Sequence, residues 1–131
     1  GLTSLDLTPL DTSNVINMNM MFHGCRGLTS LNLTPLDTQN VTRMNSIFYN
    51  CSELTSLDLT HLDTSKVTNM DWMFHSCRSL STLSLGEKFA FIGSNYYLPE
   101  GTWYSSAGTA YTSNGESCTI PNNKADTYTR K

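Results

Sequence analysis

Residues 28–53 read LTSLNLTPLDTQNVTRMNSIFYNCSE, and near copies flank them on both sides. Residues 2–27 read LTSLDLTPLDTSNVINMNMMFHGCRG, and residues 54–79 read LTSLDLTHLDTSKVTNMDWMFHSCRS. A fourth copy starts as LSTLSL at 80–85 and then departs. The period is 26 residues with no insertion. Leu2, Leu28, Leu54 and Leu80 are equivalent, as are Val15, Val41 and Val67, then Met18, Met44 and Met70. Phe22, Phe48 and Phe74 follow, and Cys25, Cys51 and Cys77 close the set. An apolar set that recurs once per unit cannot be buried inside its own unit. Stacking neighbours buries it as one core running down the array.

Within a unit, Thr-Ser-Leu-Asp-Leu alternates polar and apolar with period two, the pattern of a strand with one face inside. Strands of successive units would pair in parallel, ~4.8 Å apart. In the other half, Val15, Met18, Phe22 and Cys25 fall at i, i+3, i+7 and i+10, one face of a helix. Asp11-Thr12-Ser13-Asn14 and its copies supply short polar acceptors that start a helix or close a turn. Gly24 and Asn50 sit where a left-handed residue turns the chain back, with Ser76 in the third copy. Alternatively, residues 14–18 form a second short strand with about two helical turns after it. The expected fold is an α/β repeat: a leucine-rich-repeat solenoid with a parallel strand and a short helix per 26-residue unit. The array spans 1–85, and a small β-rich cap spans 86–131.

The chain has 131 residues, enough for one domain with a real core. Eight basic residues face 11 acidic ones, a formal charge of −3. Residues 1–85 carry Arg26, Arg43, Lys66 and Arg78 against seven carboxylates, while 86–131 balance at four and four. That balance excludes a basic stripe for nucleic acid. No stretch approaches the ~18 consecutive apolar residues of a membrane span. The first residues show no basic stretch followed by an apolar run; Gly1 lies inside a repeat, so the natural protein is expected to extend further in both directions and to carry any targeting signals there.

The units resemble the BspA-like leucine-rich repeats of bacterial surface proteins, a family also described as a repeat of unknown function in mycoplasma and Firmicutes lipoproteins. The resemblance rests on L-T-S-L-D-L (2–7, 54–59), D-T-S-N-V (11–15) and M-F-x-x-C (21–25, 73–77). In the tail, Trp103-Tyr104 and the stretch Pro121 to Tyr128 are similar to segments that close such arrays. The resemblance implies an extracellular, wall- or membrane-anchored, adhesin-type protein.

Residues 86–131 lose the period but keep Phe89, Phe91, Tyr96, Tyr97, Trp103, Tyr104, Tyr111 and Tyr128. They are expected to lid the last unit. Phe89 to Ile92 is expected to be a strand on that unit. Trp103-Tyr104 and Ala110-Tyr111-Thr112 are expected to form a hairpin, with Gly108 near its turn. The competing reading makes the aromatics a platform for carbohydrate.

One thiol per unit is the wrong spacing for structural zinc, which wants close pairs; Cys25, Cys51 and Cys77 read as a buried ladder of small apolar groups. A Cys25–Cys51 or Cys51–Cys77 bridge would need parallel side chains to turn toward each other. Cys118, alone in the tail, is placed for a bridge to Cys77. His23 and His75 share one repeat position with Tyr49 between them, ~10 Å apart at strand spacing, too far for one metal ion. His61 replaces the proline of the other units. No cofactor, metal site or catalytic constellation is expected. Trp72 replaces Met20 and Ser46 and is expected to fill a groove between units.

Two carboxylate columns recur. Asp11, Asp37 and Asp63 are explained by turns. Asp6, Asn32 and Asp58 lie on the outward strand face beside Ser4, Ser30 and Ser56, and form the candidate ligand-binding strip, for concave sheet faces are where stacked repeats commonly bind. The expected function is a non-enzymatic, extracellular adhesion module that binds a host or neighbouring-cell protein or glycan. The alternative is a spacer projecting another domain. Gly1-Leu2 matches Gly27-Leu28, so the first unit lacks a cap and is expected to associate end to end.

Overall fold

The computed structural model describes residues 12–31, 33 and 35–131. Its strands are β1 Ser56–Leu59, β2 Thr82–Leu85, β3 Gly101–Tyr104, β4 Ala110–Ser113 and β5 Asp126–Arg130. They form one mixed sheet of order β1-β2-β5-β3-β4. β1 and β2 pair in parallel, Leu57 opposite Leu83 and Leu59 opposite Leu85, so the repeat register of 26 is the strand register. All four leucines are buried. The alternate residues Ser56 and Asp58 stay exposed, as a half-buried strand requires.

The described residues contain no helix and form a single five-stranded mixed sheet. The expected α/β leucine-rich-repeat solenoid, with a helix in each unit, is therefore corrected. The cause lies in the backbone of the Met-x-x-x-Phe segment. Met20, Ser46 and Trp72 have φ of 61°, 58° and 60°, and four residues on Gly24, Asn50 and Ser76 have 74°, 61° and 63°. A helix holds φ near about −63° at every residue, so two left-handed residues per segment forbid it.

The hydrogen bonds show what replaces the helix. Ser46, Phe48 and Asn50 donate their N–H groups to Asp71, Met73 and His75 of the following unit, at 2.9, 3.1 and 2.7 Å. The amides between them stay local, Ile47 donating to Met44, Tyr49 to Ser46 and Cys51 to Phe48. Met20, Phe22 and Gly24 repeat the pattern against Asn45, Ile47 and Tyr49. The segment is thus a run of tight turns whose alternate amides pair with the next unit. It buries Met44, Ile47, Phe48 and Cys51. The i, i+3, i+7 spacing is real, but successive turns satisfy it as well as a helix does.

A second seam joins the units. The buried Thr38 hydroxyl donates to the Asp63 carbonyl and accepts the Asp63 N–H, at 3.2 and 2.8 Å. Thr12 does the same with Asp37, and Thr64 with Lys88 and Ala90. The Asp37 and Asp63 carboxylates accept the amides two residues on, from Gln39 and Ser65. These aspartates close turns and do not cap helices.

Where the period ends, Gly86 stands in the position held by Thr34 and Thr60. A Cβ there would collide with the Thr60 carbonyl, so only glycine lets the fourth turn close on the third. Residues 89–92 form no strand, contrary to expectation. β5 pairs antiparallel with β2 instead, while Phe89 is buried edge-on to Phe91. The expected hairpin is present as β3 and β4, Trp103 opposite Tyr111. Gly108, at φ 84°, donates to Ser105 in the connecting turn.

Candidate functional site

The strand face was the expected site, and three of its six residues fall among those described. Ser30, Ser56 and Asp58, with Leu31, line one shallow groove of about 220 Å³. Ser4, Asp6 and Asn32 lie outside the described residues, as do Gly1 and Leu2, on which the expected end-to-end association rests. Asp58 is held in place: its Oδ1 accepts the Thr60 N–H at 2.9 Å and the Thr60 hydroxyl at 2.6 Å. Its Oδ2 has no partner among the described residues. One unit on, Ser84 pairs with Thr127 of β5 at 2.9 Å, so the strip ends where the C-terminal segment covers it.

The turn side carries a feature that the sequence offered only as unequal residues at one position. His23 stacks on Tyr49 with ring centroids 4.7 Å apart and planes 3° from parallel. Tyr49 stacks on His75 at 4.8 Å and 6°. Tyr97 of the C-terminal segment then meets His75 edge-on, at 4.9 Å and 67°. The one-unit step of each stack is what the inter-unit amide ladder imposes. Two such steps separate the histidines, with Tyr49 between them. Among the described residues no group of three His, Cys, Asp or Glu side chains is arranged for a metal.

Trp72 does not fill a groove between units. It is 51% exposed, with Met20 at 54% in the equivalent position two units away and Ser46 buried between them. All three share a left-handed backbone. The Trp72 backbone N–H donates to the Asn95 carbonyl at 2.7 Å, which places it where the C-terminal segment begins to pack.

Residues 2–87 match the model of a family described as Mycoplasma protein of unknown function, DUF285. The chain belongs to this family. No curated protein and no solved structure matches it. The DUF285 match ends at the residue after Gly86, where the 26-residue period also breaks.

The cysteines of the DUF285 units are free thiols, and so is Cys118. Cys51 donates to the Phe22 carbonyl at 3.2 Å and Cys77 to the Phe48 carbonyl at 3.0 Å. Each thiol therefore binds backbone one unit back, and the bridges considered between neighbouring units do not form. Burial pushes the Cys51 thiol up to about 11 and the Cys77 thiol up to about 12, the reverse of an activated nucleophile. Cys118 forms no bridge to Cys77. Its Sγ accepts from the Tyr96 hydroxyl at 3.4 Å, while its N–H donates to that same oxygen at 2.8 Å. Burial raises both the Cys118 thiol and the Tyr96 phenol.

The tail aromatics divide. Trp103 and Tyr128 are fully buried, and Trp103 Nε1 donates to the Pro99 carbonyl at 3.1 Å. These rings seal the end of the core and offer no face to a sugar. An open groove of about 360 Å³ lies between the third DUF285 unit and the C-terminal segment, and His75, Arg78, Tyr97 and Arg130 are among its walls.

Proposed function

We propose that this chain is a non-enzymatic, extracellular binding segment of a bacterial surface protein of the BspA-like kind, engaging a host or neighbouring-cell protein or glycan through its strand face. The observation that carries the reading is the juxtaposition of Ser30, Ser56 and Asp58 in one open groove. Each unit contributes equivalent short polar groups, and the parallel register of β1 and β2 fixes the spacing of such groups between units. Hydroxyls and a pre-oriented carboxylate suit a polyhydroxylated or basic partner. Membership of the DUF285 family and the resemblance of the units to BspA-like repeats support the surface location.

The test is binding of the chain to an array of extracellular-matrix proteins and glycans, beside a Ser56→Lys/Asp58→Lys variant. A saturable hit lost in the variant supports the strand face as the recognition site. Silence across the array from the folded chain favours a second reading, a spacer that projects another domain. Close similarity of the three units supports that reading, since a specific face diversifies from unit to unit.

A further inference from the structure

The groove at the end of the array differs in chemistry from the strand face and stands independently of it. Arg130, in β5, reaches across the groove and is held there. Its guanidinium donates to the Glu100 carbonyl at 3.1 Å and to the Arg78 carbonyl at 2.9 Å, and lies 5.7 Å from the centre of the Trp103 ring. Two of its five N–H donors are thereby used, and the cation is fixed on a buried aromatic. No described carboxylate pairs with it. Burial alone lowers its pKa, with no carboxylate opposing. Arg78, exposed on the same groove, likewise has no ion pair among the described residues.

The opposite wall is aromatic. His75 and Tyr97 meet edge to face at 4.9 Å, and Ser76 Oγ lies 2.9 Å from His75 Nδ1, which fixes the imidazole. Glu100 completes the lining. Two arginines and one glutamate leave one uncompensated positive charge, with donors and acceptors side by side. A phosphate or a polyanion would be opposed by Glu100. A simple carboxylate would leave the acceptors unused. A sugar bearing one carboxylate uses both: the acid faces the arginines, the hydroxyls meet Glu100 and Ser76, and the ring's apolar face rests on the aromatic wall. The volume, about 360 Å³, is near the lower end of ligand sites (about 300–1,000 Å³) and suits one or two sugar units.

We propose that the groove walled by His75 and Tyr97 and carrying Arg78, Arg130 and Glu100 is a binding site for a carboxylate-bearing sugar residue of a glycan. Arg130 is the fixed cation and Arg78 the adaptable one.

The experiment is titration of the 131-residue chain with methyl glucuronide, followed by NMR at His75 and Tyr97. Methyl glucoside, acetate and a short acidic peptide serve as parallel probes. The expected result is saturable shifts at both residues with methyl glucuronide, at least tenfold weaker binding of methyl glucoside, acetate and the peptide, and at least tenfold weaker glucuronide binding in Arg78→Gln. Arg78 is exposed, so this variant keeps the melting temperature of the parent, and Glu100→Gln provides a second exposed variant with several-fold weaker binding. Absence of saturable shifts with methyl glucuronide overturns the proposal. Equal binding of acetate or of the peptide also overturns it, by assigning the groove to carboxylates at large. Unchanged glucuronide affinity in Arg78→Gln overturns the role given to the arginines.

Discussion

Cys77 Sγ sits 3.0 Å from the carbonyl oxygen of Phe48, a residue of the preceding unit. Cys51 and Phe22 stand in the same relation. The thiol ladder is therefore a set of inter-unit hydrogen bonds laid through the core. Cys51 and Cys77 are expected to resist iodoacetamide at pH 8 in the folded chain and to react fully once it is unfolded. Mass spectrometry of the alkylated peptides checks this, and rapid native labelling of Cys77 would contradict it.

The same two thiols set a pH dependence. Their folded pKa values, about 11 and about 12, lie above the value of 9.0 for a free thiol. Below pH 9 both states carry the proton and stability is unaffected. As pH rises past 9 the unfolded chain releases protons that the folded chain keeps, so stability falls toward pH 11–12. Urea midpoints are expected to drop between pH 8 and pH 10.5. A Cys51→Ala/Cys77→Ala variant, though less stable throughout, is expected to lose much of that slope.

Thr64 joins the last full unit to the C-terminal segment, its hydroxyl taking the Ala90 N–H at 2.9 Å and donating to the Lys88 carbonyl at 3.2 Å. Thr64→Val keeps the shape and strands a buried amide, for an expected cost of about 1–3 kcal/mol. Thr64→Ser is expected to recover most of it. Chemical denaturation of the three proteins decides the point.

Gly86→Ala is expected to destabilise by about 1–3 kcal/mol or more, since the added methyl meets fixed backbone at Thr60. A neutral effect, measured by thermal melting, would show that the fourth turn is looser than described.

The two tryptophans give opposite signals, Trp103 fully buried and Trp72 half exposed. Trp72→Phe is expected to leave emission that is blue-shifted and resistant to acrylamide. Trp72→Asn is expected to alter stability by no more than about 0.5 kcal/mol, because asparagine tolerates the left-handed backbone that tryptophan occupies.

How far the sequence could be read depends on which physical signal each element left. Leu57, Leu59, Leu83 and Leu85 alternate with polar residues in a fixed period, and both the strands and their register followed from that. The β3–β4 hairpin was legible in its aromatic-rich flanks and in Gly108. The helix was misread because Met44, Phe48 and Cys51 have helical spacing, while the residues that forbid a helix, Ser46 and Trp72, do not look like left-handed residues. Only Gly24 and Asn50 advertised that conformation, and they also fit a helix C-terminus. β5 was missed because Thr127 and Thr129 flank Tyr128 without an alternating apolar run. That Ser30, Ser56 and Asp58 share one face was legible from the period, and the three line one groove. The groove at Arg130 was not legible, since it joins residues 75–78 to residues some 20 to 50 positions later.

Backbone geometry of residues 44–51 is the most direct test, because the stacking of Tyr49 between His23 and His75 and the inter-unit bond of Cys51 both rest on it. Measuring amide–Hα couplings and secondary chemical shifts by NMR across this segment is expected to show no helical run and positive φ at Ser46 and Asn50. Slow exchange is expected for the Phe48 amide, which pairs with Met73. A continuous helical signature from Met44 to Cys51 would contradict the account.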